Sequence, residues 1–420
     1  MAFVLFLESQ QQRIKIKINL KNKIIMCTGI PVKIKSNREC IGGNLIFART
    51  MEFGANMKSK LRFSPAGTMF NAKLQLKECS DILDGKEWKS IYAIFGPTAM
   101  GTDDILEGIN ENGLHVAGFY FPEYAKYQAF PANETELLNS IGPLDFAQYI
   151  LGTCANVVQA RKAVEEVNLC DSYLQALSKS PPMHWIIQAK NQPAIVIEYL
   201  EGELNIIDNP LNVLTNSPDF KWHMTNLRNY VNLSYNNAQK FKLTGDLELT
   251  PFGQGSGMLG LPGDFTPPSR FVRAVALSQS VALPGASLSP TTDEGGVNMA
   301  WNLIDNITIP IGAARSAGED HGEDEEDDHT QWVSVSDLSN LKYYFRTYNN
   351  QNIRVVDFAK LIETESTVVE ISMNQKVEYQ NVTNARPVIA VPAPQLAQEY
   401  SVALPAPKLA QEYSVAELSR

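Results

Sequence analysis

The chain has 420 residues, 44% hydrophobic and 20% charged, with a net charge of −10. This composition is typical of a globular protein of one or two domains, and the acidic balance argues against a broad nucleic-acid interface, which needs Lys and Arg. No stretch approaches the roughly 18 consecutive apolar residues of a membrane-spanning helix. The five cysteines form no CxxC pair and are odd in number, so they indicate reduced thiols rather than a disulfide framework or a zinc site.

Residues 1–26 match a secretory signal peptide poorly. The apolar run at 3–7 is short, and the basic residues follow it instead of preceding it. We interpret this leader either as a misassigned start, with Met26 as the initiator, or as a removable propeptide. Both interpretations remove it before activity and expose Cys27. The absence of a clear export signal favours the cytoplasm, with a periplasmic or secreted location as the alternative.

Residues 27–375 have the pattern of one domain, with strands at both ends and helices in the middle. Short apolar runs at 46–49 and 91–95 predict buried strands. The run 114–120 follows the turn signal Asn112-Gly113, and the run 194–199 follows a second turn signal, so we expect a hairpin at each. This arrangement predicts a layered α+β domain.

Two helices are predicted within this domain. Asn156 is a typical N-cap, and the four apolar residues after it share one helical face (Val157, Ala160, Val164 and Val167). A second helix is expected over 269–277, entered by a Gly/Pro-rich segment. The first helix is expected to be a scaffold element.

Two segments are low in complexity. An acidic loop at 316–329 is expected to stay solvated through self-repulsion. In the tail, 376–420, the unit 392–403 recurs as 405–416 with Lys408 in place of Gln395. Two copies cannot form a solenoid core, which needs about three repeats, so we interpret the tail as flexible, with docking as its alternative role.

Cys27 is the strongest candidate for chemistry. A cysteine at a chain start carries a thiol and an α-amine, and the amine can act as the base for its own thiol, so no histidine partner is needed. A buried inert thiol is the alternative. A papain-like pair of a cysteine with His184 or His223 is a second enzymatic hypothesis, although nothing in the sequence singles it out. No HExxH or nucleophile-elbow motif is present.

The segment Met26-Cys27-Thr28-Gly29 resembles the start of mature choloylglycine hydrolases (conjugated bile-salt hydrolases) and penicillin V acylases. Further segments resemble the same family in the same order: 49–54, 108–114, 117–122, 214–218, 261–264 with 269–271, and 330–332. The resemblance implies the N-terminal nucleophile hydrolase fold, a four-layer αββα sandwich of two antiparallel sheets, often assembled as a homotetramer.

The resemblance also implies a set of site residues. Cys27 would be the nucleophile, Arg49 would favour its thiolate, and Glu52, where many members have Asp, would hold the α-amine. Asn216 and the backbone N–H of Tyr120 would form the oxyanion hole. Arg270 would be the sixth residue of this catalytic set and would hold the site together.

The implied activity is hydrolysis of a linear, non-peptide amide with a bulky apolar acyl group through a thioester, without metal or organic cofactor. Bile-salt hydrolases commonly have Asn at the position of Tyr120 and penicillin V acylases commonly have Tyr, which favours an aromatic acyl group such as phenoxyacetyl. The alternatives are an N-acyl homoserine lactone acylase and a catalytically silent binding protein on the same fold.

Overall fold

A computed structural model describes residues 26–34, 43–77, 81–175, 177–282, 290–315 and 327–383. The leader 1–25, most of the acidic loop and the tail repeat lie outside the described residues. The described residues divide into two units, with the boundary between Val377 and Glu378. All described helices and strands belong to the first unit, and the described part of the second, residues 378–383, contains neither.

The strands lie in the following order. They are β1 (Met26–Lys33), β2 (Leu45–Phe53), β3 (Lys60–Ser64), β4 (Met69–Gln75), β5 (Ile82–Lys89), β6 (Ile94–Pro97), β7 (Glu107–Asn110), β8 (His115–Tyr120), β9 (Ser140–Ile141), β10 (Asn168–Leu169), β11 (Met183–Gln188), β12 (Ala194–Leu200), β13 (Glu203–Asn209), β14 (Phe241–Thr244), β15 (Leu247–Leu249), β16 (His329–Asp337), β17 (Lys342–Thr347), β18 (Asn350–Asp357) and β19 (Val369–Ser372).

The helices connect and cover these strands. They are α1 (Glu134–Leu137), α2 (Phe146–Thr153), α3 (Val157–Glu166), α4 (Phe220–Asn226), α5 (Pro267–Ala282), α6 (Asp293–Ile304) and α7 (Phe358–Thr364), with short 3₁₀ turns at Leu227–Tyr230 and Ser256–Met258. No helix among the described residues is long and apolar enough to cross a membrane.

Two large antiparallel sheets form the centre of the first unit. One has the order β1-β2-β16-β17-β18, and the other has the order β13-β12-β11-β8-β7-β6-β3-β19. Helices α5 and α6 pack against β1 of the first sheet, while α2 packs against β7 and β8 of the second and α3 against β11. The fold is therefore the expected αββα sandwich, and the core lies between the sheets.

The two sheets approach each other closely at β1. A Cβ atom on Gly29 would lie 2.2 Å from the Phe47 ring and 3.1 Å from the Phe119 ring, so no larger residue fits without displacement of these rings. Strand β2 is buried along its whole length although it carries Arg49, Thr50 and Glu52. Charged residues are almost never fully buried unless they are paired, so these side chains mark a site.

The predicted local elements are largely confirmed. Asn156 caps α3 by accepting a hydrogen bond from the Gln159 amide, and both predicted hairpins form, as β7–β8 and β11–β12. The second predicted helix is α5, which is longer than expected. The strand expected at 91–95 begins only at Ile94, because the residues at 91–92 form a bend and the Ile91 amide donates to the carbonyl of Gly152.

Candidate active site

Cys27 lies in β1 at the wall of an apolar cavity between the sheets. Cys27 is 1% exposed. Apart from Cys27, Arg49 and Tyr120, the lining of the cavity is apolar: Met51, Met57, Ala99, Met100, Leu106, Gly118, Leu144, Leu177, Pro181 and Met183. An apolar cavity with a few polar groups at one wall is the usual form of a small-molecule site.

Arg49 lies beside the sulfur of Cys27. Its Nη2 atom is 3.6 Å from Cys27 Sγ and also donates to the Gly118 carbonyl at 2.6 Å. Its Nη1 atom forms an ion pair with Glu107 Oε2 at 2.8 Å, and both side chains are fully buried. The guanidinium is therefore fixed by a carboxylate and a backbone carbonyl before any substrate binds.

Glu107 is itself held by two hydroxyl groups. Its Oε1 atom accepts hydrogen bonds from Ser334 at 2.6 Å and from Tyr343 at 2.7 Å. These two donors come from β16 and β17 in the first sheet, whereas Glu107 belongs to β7 in the second. The Glu107 carboxylate therefore links the two sheets directly beneath Arg49.

Burial raises the pKa of the Cys27 thiol above its usual value. The positive charges of Arg49 and Arg270 lower that pKa, but the loss of solvation and the negative charge of Glu52 outweigh them. The sulfur therefore rests as a thiol and needs a base to become a nucleophile.

Asn216 holds the nitrogen atom of Cys27. The Cys27 N–H donates to Asn216 Oδ1 at 2.8 Å, and Arg270 Nη2 donates to the same oxygen at 2.7 Å. Because a guanidinium only donates, this contact fixes the orientation of the amide. Asn216 Nδ2 therefore faces Tyr120, where it donates to the backbone carbonyl at 2.8 Å, and its second N–H is left for another acceptor.

Arg270, on α5, ties this helix to β1. Its Nη1 donates to the Cys27 carbonyl at 2.7 Å and contacts the Thr28 hydroxyl, while its Nε donates to the Phe265 carbonyl at 2.8 Å. Burial lowers its pKa to about 10, which still leaves the side chain charged at neutral pH.

Glu52 lies one residue from Cys27 across the β1–β2 pair, opposite Met26. Its carboxylate accepts from Thr50 Oγ1 at 2.9 Å and from Thr330 Oγ1 at 2.7 Å. Burial raises its pKa to about 7 despite the opposing charge of Arg270. In the chain that retains Met26, the acceptor for the Cys27 N–H is Asn216 and not Glu52.

The backbone of Tyr120 faces the same region. The Phe121 N–H donates to the Pro182 carbonyl at 2.8 Å, on the side of β11. Consecutive residues in an antiparallel strand direct their N–H and C=O groups to opposite sides, so those of Tyr120 point away from β11. The contact between its carbonyl and Asn216 agrees with this direction.

His184 and His223 lie next to the site but make other contacts. His184 Nε2 donates to the Thr215 carbonyl at 3.0 Å and its Nδ1 lies 3.1 Å from Glu198 Oε1. His223 Nε2 donates to the Asn216 carbonyl at 2.8 Å, and burial lowers its pKa to about 4, so it is neutral. Both rings hold the backbone around Asn216, and the papain-like hypothesis gains no support from them.

Sequence reasoning missed several polar contacts of this site. Glu107 directly precedes one of the recognised segments, and its charge in a short strand that is buried throughout was not predicted. Thr50 and Thr330 lie within recognised segments, but no local pattern indicates that both hydroxyls meet at one carboxylate. Among the described residues, no group of three or more His, Cys, Asp or Glu side chains could hold a metal ion.

Comparisons with known proteins agree on one family. The model of the linear amide C–N hydrolases, choloylglycine hydrolase family, matches residues 27–369. A bile salt hydrolase/transferase from Clostridium perfringens is 32% identical over 342 residues, which cover 80% of this chain and 93% of that protein. A penicillin V acylase from Pectobacterium atrosepticum is 24% identical over 289 residues, covering 66% of this chain and 68% of that protein.

Solved structures share the fold. A variant of the conjugated bile acid hydrolase from Clostridium perfringens superposes with a TM-score of 0.71 at 29% identity, covering 85% of this chain and 100% of that one. Penicillin V acylase from Agrobacterium tumefaciens superposes with a TM-score of 0.61 at 19% identity, covering 82% and 90%. From the family match over most of the chain and this shared architecture, we conclude that the chain belongs to the choloylglycine hydrolase family and is a hydrolase of linear amides.

Proposed function

We propose that this enzyme hydrolyses linear amides with a bulky apolar acyl group, such as phenoxyacetyl, and that Cys27 is its N-terminal nucleophile. The observation that carries the proposal is the sulfur of Cys27 at the wall of an apolar cavity, 3.6 Å from a fully buried arginine. Tyr120 in the cavity lining supports an aromatic acyl group.

The active form requires removal of the residues that precede Cys27. The Cys27 nitrogen then becomes an α-amine, with an ordinary pKa of about 7.7–8.0, held by Asn216 Oδ1. This pKa suits a general base at neutral pH. The carboxylate of Glu52, opposite Met26 in the strand pair, is positioned to stabilise the amine when it becomes an ammonium.

The reaction then proceeds in two halves. The α-amine takes the proton of the Cys27 thiol, and the sulfur forms a bond to the amide carbonyl carbon while the carbonyl π electrons move to oxygen. The ammonium protonates the leaving nitrogen, the C–N bond breaks, and a thioester remains. Water attacks the thioester after giving its proton to the amine, and the released thiolate recovers that proton.

The oxyanion of each tetrahedral intermediate needs hydrogen-bond donors. The second Nδ2 hydrogen of Asn216 and the backbone N–H of Tyr120 are the proposed donors. Asn216 Nδ2 lies 2.8 Å from the Tyr120 carbonyl oxygen, and the Tyr120 N–H points to the same side of its strand as that carbonyl. Donors fixed before the reaction lower the barrier by stabilising the developing charge. Arg49 stabilises the thiolate, and Arg270 maintains the geometry of Cys27 and Asn216.

A substrate panel tests the proposed acyl group. We expect the highest kcat/KM for penicillin V among penicillin V, glycine- and taurine-conjugated bile acids and acyl homoserine lactones. Conjugated bile acids are the second candidate class, favoured by the names of the relatives at 32% and 33% identity. Activity on none of the panel, with a slow-reacting Cys27 thiol, would instead support a catalytically silent binding protein.

We further propose a homo-oligomer, with a tetramer as the expected form. The segment around the β14–β15 hairpin carries large apolar side chains that are strongly exposed, among them Val231, Phe252 and Leu259. Exposed apolar clusters of this kind mark interaction surfaces. Light scattering coupled to size exclusion will give the mass in solution, and a monomer at micromolar concentration would contradict the proposal.

A further inference from the structure

Lys179 lies at the edge of the cavity. The cavity lining includes Leu177 and Pro181, the residues two positions before and after it, so this stretch of chain forms part of the wall. Lys179 Nζ donates to the Tyr120 hydroxyl at 2.7 Å and lies 5.3 Å from the centroid of the Tyr120 ring. Tyr120 lines the cavity and is only 3% exposed, whereas Lys179 is exposed to solvent, so this contact lies where the cavity wall meets the surface.

The charge of Lys179 has no carboxylate partner among the described residues. Salt bridges there are formed by other cations, including Lys126 with Glu201 and Arg49 with Glu107. Arg49, the cation in the cavity lining, is neutralised by Glu107. Lys179 therefore carries a charge near the cavity that no carboxylate of the described residues compensates, and it attracts a negatively charged ligand.

The contact with Tyr120 creates a second donor at the same place. An ammonium group only donates, so the Tyr120 oxygen accepts from Lys179 and its own hydrogen is left for another acceptor. The phenol O–H and the remaining Nζ hydrogens together present two neighbouring donors. A carboxylate, with two acceptor oxygens, is the chemical group that matches this pair.

We propose that Lys179 is a specificity-determining residue that binds a carboxylate in the amine half of the substrate, so that the enzyme prefers amides of carboxylate-bearing amines to neutral amides of the same size. The inference rests on the proposed amidase function, since it concerns the same cavity. The role of Lys179 adds recognition of a negative charge on the substrate to the proposed preference for an apolar acyl group.

The test compares two substrates of nearly equal shape, N-phenoxyacetylglycine and N-phenoxyacetylglycinamide, which differ in the carboxylate. The wild-type enzyme is expected to prefer the acid. The variant Lys179→Met is expected to lose about tenfold in kcat/KM for the acid, mainly through KM, since a tenfold change corresponds to one well-placed ionic contact. It should lose less than about twofold for the glycinamide, which lacks the charge that the ammonium binds.

Controls separate charge recognition from a structural role. Lys126→Met removes an exposed lysine paired with Glu201 and should leave the ratio of the two substrates unchanged. Lys179→Arg should retain most of the preference, and added salt should reduce the preference of the wild type because it screens exposed charges.

The outcomes distinguish the two proposals. Equal losses on both substrates in Lys179→Met, or equal kcat/KM for acid and amide in the wild type, would overturn the role of Lys179 while leaving the amidase function intact. No hydrolysis of either substrate by the wild type would instead count against the proposed function itself.

Discussion

Substitution of Glu107 by Gln tests the buried ion pair that holds Arg49. Both side chains are 0% exposed and lie 2.8 Å apart, and two hydroxyl groups also donate to the carboxylate. The variant keeps the shape but leaves the Arg49 charge buried without its counter-charge. The glutamine side chain also supplies only one acceptor oxygen, whereas the carboxylate accepts from Arg49 through one oxygen and from the two hydroxyl groups through the other.

The expected loss is large for a single substitution. Removal of one partner of a buried pair destabilises proteins by about 3–5 kcal/mol, against a total stability of about 5–15 kcal/mol. Denaturant unfolding of the full chain, followed by fluorescence, measures the change. The matched control is Glu370→Gln, which removes partly exposed ion pairs with Lys60 and Arg62, each at 2.8 Å, and should cost about 1 kcal/mol or less.

A double variant refines the test. In Arg49→Met with Glu107→Gln, the buried charge is absent from both partners, so the combined loss should be smaller than the sum of the two single losses. A loss for Glu107→Gln no larger than that of the exposed control would refute the reasoning, because it would mean that the Arg49 charge is compensated elsewhere.

Further predictions concern residues around the nucleophile. The pKa of Glu52 is raised by burial from 4.5 to about 7, so the folded state is favoured when Glu52 is protonated, and stability should fall by about 3 kcal/mol as pH rises from 4.5 to 7. Urea unfolding across this range, in the chain that retains Met26, should show that the Glu52→Gln variant lacks this fall in stability. A variant whose stability depends on pH as steeply as that of the wild type would contradict the prediction. Asn216→Ala should lower kcat by about 10²–10³, as loss of one oxyanion donor does, and a kcat within about twofold of the wild type would exclude that role. The neutral His223, with its pKa lowered to about 4, should make the fold less stable as pH falls below 6.5; His223→Gln should reduce that loss in the same unfolding experiment, and an identical acid profile would count against it.

The sequence indicated the local elements and the residues that lie within recognisable segments. The Asn156 cap and the β7–β8 turn are encoded by neighbouring residues, and Cys27 and Arg49 lie in adjacent strands whose register brings them together. The bend at 91–92 was missed because it depends on a hydrogen bond to Gly152, in a distant helix.

Contacts between the sheets were beyond local sequence reasoning. Glu107 meets Ser334 and Tyr343 across more than two hundred residues of chain, and no periodicity or motif connects them. The sequence also could not reveal that burial outweighs the nearby positive charges in setting the pKa of Cys27. That balance depends on how completely the sulfur is removed from water, which only the packed structure determines.

The measurement that tests the central claim most directly is the intact mass of the active enzyme, combined with labelling of Cys27 by a thiol reagent. The account predicts that all amidase activity belongs to chains that begin at Cys27, and that a thiol reagent which abolishes turnover modifies Cys27 first. Full activity in chains that retain residues before Cys27, or in a Cys27→Ala variant, would contradict it.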